Sequence, residues 1–217
     1  MAPPPFLGIL MLETHFPRLP GDVGHPASWS MPVRLRLVPG ATPRRVVQQA
    51  DAELLLPFIA AARALVAEGA AAITTSCGFL VRWQAELQAA LPVPVWTSSL
   101  LALPGLPRAG VLTVDAASFD SRLLQAAGAA ESTPVEGLAA GCSLQRTLLQ
   151  DLPELDAEAA EAQTVAAALR LVQQPAGIDH IVMECTNLPP YAAAVQRATG
   201  RPVHHLMTLV HERWKAK

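Results

Sequence analysis

Two kinds of segment alternate along the chain: short apolar runs, and longer segments whose apolar residues recur at helical spacing. The short runs predict buried strands over residues 6–12, 71–76, 93–97, 110–114, 180–184 and 202–205. The longer segments predict helices over residues 51–68, 79–90, 119–127, 157–172, 189–199 and from 206 to about 214. A polar stretch rich in Pro and Gly, residues 17–26, predicts a loop that is long enough to form a lid. Strands interleaved with helices at this spacing predict parallel sheets.

The pattern in the first half of the chain recurs in the second half. Residues 73–80, which contain Cys77, match residues 181–188, which contain Cys185, at an offset of 108 positions. Residues 8–13 match residues 110–115 at a slightly shorter offset, so each half opens with an apolar strand that ends in an acid. We interpret the chain as a duplicated domain of the α/β class, with two pseudo-symmetric lobes. Each lobe is predicted to hold a short, mostly parallel sheet flanked by helices.

The composition restricts the possible partners. With 217 residues, 51% of them hydrophobic, the chain can bury one large core or two moderate cores. The formal net charge of -2 gives no electrostatic footprint for a nucleic acid or an anionic membrane, so neither is an expected partner. Three cysteines are few for a disulfide scaffold, and neither a signal-type segment nor a bilayer-spanning run is present. We therefore expect a cytoplasmic protein with reduced thiols, for which a homo-oligomer is an open possibility.

No cofactor is predicted. The sequence has no Gly-rich dinucleotide fingerprint, and no pair of histidines has metal-ligand spacing with an acid. The lysines, Lys215 and Lys217, lie at the C-terminus, so a pyridoxal Schiff base has no suitable residue. We therefore expect neither a cofactor nor a bound metal ion.

Cys77 and Cys185 are candidate catalytic residues because each lies where a predicted strand ends and a helix begins. Ligands bind at the carboxyl ends of parallel strands, and helix amide groups there favour negative charge. We expect a lowered thiol pKa and a usable base at neutral pH. If the lobes face each other, one thiol approaches a bound substrate from each side, which suits inversion at a carbon acid. Cys142 has no counterpart at the repeat offset and is interpreted as structural.

The polar residues around these cysteines allow a structural and a functional interpretation. Thr75, Ser76 and Thr186 can cap the helices that follow them, or they can donate hydrogen bonds to a substrate. Arg18 can clamp a carboxylate or remain solvated in its loop. Glu13 can orient a catalytic group or act as a turn acid. The sequence leaves each pair of interpretations open.

Other residues near the predicted cleft are also open to two interpretations. Phe79 can line the substrate pocket or point into the core of the first lobe. His204 and His205 alternate along a strand, so only one of them can face the cleft. Ser98 is interpreted as a helix cap, and Asp115 as a turn acid or cap.

Three segments carry a resemblance to a known family. They are Thr-Ser-Cys-Gly-Phe-Leu at residues 75–80, Glu-Cys-Thr-Asn-Leu-Pro at 184–189 and Val-Pro-Val-Trp-Thr-Ser-Ser-Leu-Leu at 93–101. They resemble the aspartate/glutamate racemase superfamily, which includes hydantoin racemases, maleate isomerases and arylmalonate decarboxylases. The resemblance implies a cofactor-independent enzyme with its site in the cleft between two lobes and one acid/base cysteine from each. It also implies that the last helix returns to the first lobe. We thus assign residues 1–103 with helix 206–217 to lobe one, and residues 104–205 to lobe two.

The chain departs from the amino-acid racemases of that superfamily at three places. Gly78 and Phe79 follow the first cysteine where those racemases have Asn-Thr, whose polar groups hold the substrate's carboxylate and amino group. Asn187 stands where the glutamate racemases have a histidine, and the pair Glu13-Thr14 stands in place of Asp-Ser. We therefore expect weak turnover of free aspartate and glutamate relative to a carboxylate or cyclic amide that lacks a free ammonium.

These observations predict a racemase or epimerase of a small carboxylate or amide-like carbon acid, of the amino-acid or hydantoin type. Cys77 and Cys185 are the predicted acid/base pair, and the expected partner is a small-molecule carboxylate or cyclic amide. The predicted substrate-binding residues are Glu13, Thr14, Arg18, Thr75, Ser76, Gly78, Thr113, Thr186 and Asn187. Two alternatives stay open: a maleate-type cis–trans isomerase with one nucleophilic cysteine, and a two-lobed binding protein without catalysis.

Overall fold

The computed structural model describes residues 4–216 and has an α/β fold built on two four-stranded sheets. Across these residues the strands are β1 (Phe6–Met11), β2 (Val33–Leu37), β3 (Ala70–Thr75), β4 (Val95–Trp96), β5 (Ala109–Thr113), β6 (Val135–Gly137), β7 (His180–Met183) and β8 (Val203–His204). The strand pairs in both sheets are parallel. The predicted fold class is confirmed.

The two sheets have the same strand order. It is β2-β1-β3-β4 in the first sheet and β6-β5-β7-β8 in the second. β3 ends at Thr75 and β7 at Met183, and these two positions are separated by the offset of the sequence repeat. The residues that follow each strand, among them Cys77 and Cys185, therefore occupy equivalent places in the two halves.

Helices flank both sheets. The α-helices are α1 (Leu55–Ala67), α2 (Gln84–Ala90), α3 (Ser121–Ala126), α4 (Ser143–Gln150), α5 (Ala157–Val172), α6 (Ala192–Thr199) and α7 (Leu206–Lys215). Shorter helical turns are of the 3-10 type at Pro26–Ser28, Ala52–Leu54, Gly78–Trp83, Ser99–Gly105 and Pro189–Tyr191, and of the π type at Arg44–Gln48. The segment after Cys77 is thus a 3-10 helix, and the α-helix predicted from residue 79 begins only at residue 84.

Two strands and one α-helix have no counterpart among the elements predicted from the sequence. β2 has the sequence Val-Arg-Leu-Arg-Leu and lies at the edge of its sheet, where Arg34 is exposed and Arg36 is half-buried. Its strict alternation of apolar and charged residues is a strand signal that the search for apolar runs does not detect. β6 has only three residues, and α4 is polar overall, so neither gives a strong local pattern.

Helix α7 packs on the first sheet. Its residues Leu206, Leu209 and Val210 belong to one buried cluster with Ile9 of β1 and Trp96 of β4. The predicted lobe limits at residues 103 and 205 remain predictions. Residues 1–3 of the predicted first lobe, and residue 217 of the predicted last helix, lie outside the described residues.

The two sheets are joined close to the cysteines. The Ser99 hydroxyl, just after β4, donates to the backbone oxygen of Met183 at the end of β7 at 2.7 Å. Leu124 and Val182 of the second half are buried in the same hydrophobic cluster as Phe58 and Ile73 of the first. Because this shared core holds the ends of β3 and β7 near each other, the residues that follow the two strands meet.

Candidate active site

Cys77 and Cys185 line one small cavity between the two sheets, with a volume of about 30 Å³. Both side chains are buried and neither forms a disulfide. Most of the wall is apolar, with contributions from Leu12, Val47, Phe79, Val114, Leu148 and Leu149. We call this space the inter-sheet cavity. It brings a thiol from each half of the chain to the same enclosed, weakly polar place.

The two thiols have matching local environments. The backbone N–H two residues further along donates to each sulfur, from Phe79 to Cys77 and from Asn187 to Cys185. The Cys185 thiol also lies 3.6 Å from Oδ1 of Asn187, to which it can donate. The sequence repeat therefore extends to the hydrogen bonds of the sulfur atoms.

The expectation of a lowered thiol pKa is wrong. Burial, followed by the charge of Glu184, raises the pKa of Cys77 to about 12. The same two causes raise the pKa of Cys185 well above its usual value. The backbone N–H bonds lower each pKa, but they do not offset the loss of water around the sulfur. Cys77 also precedes a 3-10 helix of six residues, so it does not face the N-terminus of an α-helix as the sequence suggested.

Glu184 is a residue of the cavity wall that the sequence analysis did not select. Its side chain is buried, and burial raises its pKa to about 7. Thr113 donates to Oε2 at 2.7 Å, while Oε1 has no hydrogen-bond partner among the described residues. The repeat contained the signal, because Glu184 occupies the position that Ser76 has in the first half, directly before the cysteine.

Gly78 allows the close approach of the two halves at this point. A Cβ atom on residue 78 would overlap both the backbone oxygen and Oε1 of Glu184. The backbone of Glu184 is fixed in turn, because its N–H donates to the oxygen of Leu112 at 2.9 Å. Residue 78 must therefore be glycine because there is no space for a side chain. Its backbone angles are not in the left-handed region and do not themselves require glycine.

Arg18 lines the cavity from the loop after β1 and is held by a buried network. Its Nη1 donates to Oδ1 of Asp22 at 2.8 Å, and its Nη2 donates to Oγ1 of Thr14 at 2.9 Å. Asp22 is 2% exposed and also accepts from Nδ2 of Asn187 at 2.6 Å. The sequence analysis did not identify Asp22, whose role depends on partners from both halves. The network fixes Arg18 against the second half of the chain.

The structure brings together seven of the eleven predicted site residues. In the wall of the inter-sheet cavity lie Arg18, Ser76, Cys77, Gly78, Cys185, Thr186 and Asn187. The Ser76 hydroxyl accepts from the N–H of Leu12 at 2.9 Å, and its proton has no acceptor within residues 4–216. The Thr186 hydroxyl donates to the backbone oxygen of Ser76 at 2.5 Å. Ser76 is thus the hydroxyl that remains free to donate to a ligand.

The other four predicted residues are not in the cavity wall. Oε2 of Glu13 accepts from the N–H of Gly40 at 2.8 Å, and Thr14 supports Arg18. The Thr75 hydroxyl donates to the backbone oxygen of Thr97 at 2.7 Å. Thr113 supports Glu184. Each of the four makes a hydrogen bond within the protein, and two of them position residues that do face the cavity.

The open interpretations of the neighbouring residues also have structural answers. Phe79 both lines the cavity and belongs to the buried core. Neither His204 nor His205 is in the cavity wall: His204 pairs with His180 at 3.1 Å, and His205 is half-buried at the start of α7. Ser98 caps the turn that follows it, accepting from the N–H of Leu100 at 3.2 Å. The prediction that no more than one of these two histidines can face the cleft is therefore not contradicted, since neither lines the cavity.

Asp115 and Cys142 have local roles. The carboxylate of Asp115 accepts from the hydroxyl of Ser118 at 2.6 Å and from the N–H of Ala117 at 3.2 Å, which is the pattern of a turn acid. Cys142 is half-buried at the start of α4 and packs against the core of the second half.

Within the described chain, no group of three or more His, Cys, Asp or Glu side chains is arranged to hold a metal ion. None of the helices between residues 4 and 216 has the length and apolar character needed to cross a bilayer.

We predict that Glu184→Gln lowers the pH at which the buried thiols are alkylated. The Glu184 charge raises the pKa of both cysteines, so its removal leaves burial as the main opposing effect and favours the thiolate at lower pH. The measurement is the rate of iodoacetamide labelling as a function of pH. Every variant also carries Cys142→Ser, so that Cys142 is not labelled. Glu53→Gln, at an exposed glutamate, is the matched control. A midpoint that stays in place, or that rises, contradicts this role of Glu184.

Comparison with known proteins shows which proteins the whole chain is similar to. No protein-family model matches the chain. A dimethylsulfoniopropionate lyase from Durusdinium sp. clade D is 31% identical over 223 residues, covering 91% of this chain and 70% of that protein. The chain belongs to the dimethylsulfoniopropionate lyase family. Dimethylsulfoniopropionate lyase 7 from Emiliania huxleyi (strain CCMP1516) is 30% identical over 228 residues, covering 94% of this chain and 64% of that relative.

Solved structures show the same fold at low sequence identity. The allantoin racemase from Klebsiella pneumoniae matches with a TM-score of 0.65 and 14% identity, covering 94% of this chain and 83% of that one. Unliganded arylmalonate decarboxylase matches with a TM-score of 0.60 and 18% identity, covering 92% and 86%. A glutamate racemase isoform from Bacillus anthracis matches with a TM-score of 0.59. The predicted resemblance to the aspartate/glutamate racemase superfamily is confirmed at the level of the fold, whereas the curated relatives are named lyases and not racemases.

Proposed function

We propose that this protein is a cofactor-independent lyase that cleaves dimethylsulfoniopropionate by removing a proton from the carbon next to the carboxylate. The observation that carries the proposal is the pair of buried thiols on one enclosed cavity, in a chain whose curated relatives are named for this substrate. A thiolate is a suitable base for such a proton because it is a strong base once water is excluded.

The reaction balances with the groups at hand. A thiolate takes the α-proton, the electron pair of that C–H bond forms the carbon–carbon double bond, and the bond from the β-carbon to sulfur breaks. The sulfur leaves with its bonding pair as neutral dimethyl sulfide, and the remaining product is acrylate. The thiol then returns its proton to solvent. No oxidant, reductant or metal is needed for these steps.

The cavity contains groups that fit the carboxylate end of such a substrate. Negative charge builds up on the carboxylate as the α-proton leaves, and hydrogen-bond donors aimed at it stabilise that charge. The free hydroxyl proton of Ser76 and the guanidinium of Arg18 are donors in the wall. Arg18 is held in place by Asp22, so the donor is positioned before the substrate arrives.

The cavity must open before a substrate can enter. A volume of about 30 Å³ accommodates little more than ordered water. Phe16, just before the predicted loop of residues 17–26, and Arg18, within that loop, form part of the wall. Movement of this segment would enlarge the cavity without separating the sheets. The closed form would then exclude water from the reaction.

Racemisation is the second candidate function, and the placement of the thiols favours it. Cys77 and Cys185 come from opposite halves of the chain, as a two-base mechanism of proton removal and return requires. Both candidates begin with removal of an α-proton. They differ in the next step, which is loss of a leaving group in the lyase and return of a proton to the opposite face in the racemase.

The lyase proposal is tested with the purified protein and dimethylsulfoniopropionate. We expect equal amounts of dimethyl sulfide, measured by gas chromatography, and acrylate, measured by NMR, with kcat/KM on the order of 10⁴ M⁻¹s⁻¹ or above. Activity should survive dialysis against a chelator. Absence of both products, together with α-deuterium exchange and inversion of a chiral carboxylate in heavy water, would establish the racemase instead. Free aspartate and glutamate serve as comparison substrates and should turn over weakly.

A further inference from the structure

The cavity wall contains one charged side chain that forms an ion pair and one that does not. Among the described residues, Arg18 and Glu184 are the charged side chains that line it. Arg18 forms an ion pair with Asp22 at 2.8 Å. Glu184 forms no ion pair within the described chain, and its Oε1 has no hydrogen-bond partner. The half-buried guanidinium of Arg18 therefore has an ion-pair partner, and the buried carboxyl group of Glu184 has none among the described residues.

The surroundings of Glu184 indicate which kind of chemical group can bind next to its carboxylate. Thr113 holds Oε2, so the carboxyl group is fixed in orientation. Oε1 is buried against Gly78, where no side chain supplies it with a hydrogen-bond donor. The nearby wall consists of the two thiols and of apolar side chains such as Phe79 and Val114. A group that is both cationic and apolar at its surface fits this environment better than a strongly hydrated ammonium.

We propose that Glu184 is the specificity-determining residue of the site and binds the alkylated cationic end of a zwitterionic carboxylate, a sulfonium or quaternary ammonium group. This inference rests on the proposed function, because it assigns the end of the substrate opposite to the carboxylate. Arg18 and Ser76 would take the carboxylate, and Glu184 would take the cation. The α-carbon would then lie near the two cysteines, which line the same cavity as Glu184.

The same contact makes the thiols more reactive when the substrate is bound. The charge of Glu184 opposes ionisation of both cysteines in the empty site. A cation next to Glu184 cancels that charge, so the thiolate forms more readily in the complex than in the free protein. Neutral carboxylates of the same shape would gain neither the contact nor this activation.

Two ligands of equal shape test the proposal in the wild-type protein. They are 3-(trimethylammonio)propanoate and 4,4-dimethylpentanoate, which differ by one nitrogen-for-carbon replacement and therefore by one positive charge. Neither is cleaved as readily as a sulfonium, so equilibrium binding can be measured by calorimetry. We expect the cation to bind at least about tenfold more tightly, the size of one charge contact in a desolvated site. Glu184→Gln should abolish the preference, and Glu53→Gln should retain it.

The binding experiment tests Glu184 as a cation site, and its result does not depend on whether the protein is a lyase. Equal binding of the two ligands by the wild type overturns it, and so does a preference that survives Glu184→Gln. Binding of neither ligand overturns it as well. The wild-type comparison remains decisive if Glu184→Gln does not fold. A clear preference for the cation without release of dimethyl sulfide from dimethylsulfoniopropionate would support Glu184 as a cation site and reject the proposed lyase reaction.

Discussion

Cys77→Ser and Cys185→Ser are each expected to lower turnover of dimethylsulfoniopropionate by about 10²–10⁴-fold, the usual contribution of a positioned acid or base. Serine keeps the size and the hydrogen bond of cysteine, but its hydroxyl is a far weaker acid than the thiol and does not provide an anionic base. Both thiols lie in the same cavity and share the same environment. We therefore expect both substitutions to be severe, one through loss of the base and the other through loss of the second thiol as a hydrogen-bond donor to the charge that develops on the carboxylate.

Cys142→Ser is the control, since Cys142 lies at the start of α4 outside the cavity wall and should keep full activity. The measurement is initial-rate dimethyl sulfide release, with circular dichroism to confirm that each variant folds. Full activity in both Cys77→Ser and Cys185→Ser would rule out thiol acid/base catalysis. Loss in one variant alone would assign the base to that cysteine and favour a single-base elimination over the two-base racemase.

Gly78→Ala is expected to destabilise the protein and to abolish activity. The added Cβ would overlap the backbone oxygen and Oε1 of Glu184, and the backbone cannot move without losing its bond to Leu112. Overpacking of this kind costs about 1–3 kcal/mol, with larger values where backbone atoms are involved. The residue that would have to shift is next to Cys185. A structural change here therefore disturbs both the stability and the catalytic geometry.

Gly105→Ala is the matched control, because a Cβ at residue 105 meets no atom within 4 Å among the described residues. The free energy of unfolding is measured by urea titration, and dimethyl sulfide release is measured in parallel. We expect Gly105→Ala to behave like the wild type. Wild-type stability in Gly78→Ala would mean that the two halves approach less closely at Glu184 than the structure shows.

The arrangement of the sheets could be predicted because it depends on local patterns and on the internal repeat. Apolar runs and helical spacing are properties of neighbouring residues, so β1, β3, β5 and β7 were located to within two residues. The repeat then related the two halves without any knowledge of their contacts. The edge strands β2 and β6 were missed, since one alternates with arginines and the other has three residues.

The electrostatics of the thiols could not be predicted in this way. The position of a cysteine before a helix suggests a lowered pKa, but burial raises the pKa of both thiols. Burial by residues such as Val47 and Leu148, which are far apart in the chain, removes water from the sulfur atoms. The short 3-10 helix after Cys77 does not compensate for that loss. Desolvation is a property of the packed molecule, and the sequence pattern alone does not contain it.

By itself, the sequence determined that there are two related α/β halves and that each carries a cysteine just after its central strand, because these features are repeated and local. Tertiary structure decided which polar groups line the inter-sheet cavity. Asn187 reaches Asp22 across 165 positions of the chain, and Glu184 meets Gly78 from the other half. Such contacts depend on how the two halves dock, and docking is set by the shape of their buried surfaces. For this reason Arg18 has an ion-pair partner and Glu184 has none among the described residues. The sequence alone does not reveal this difference.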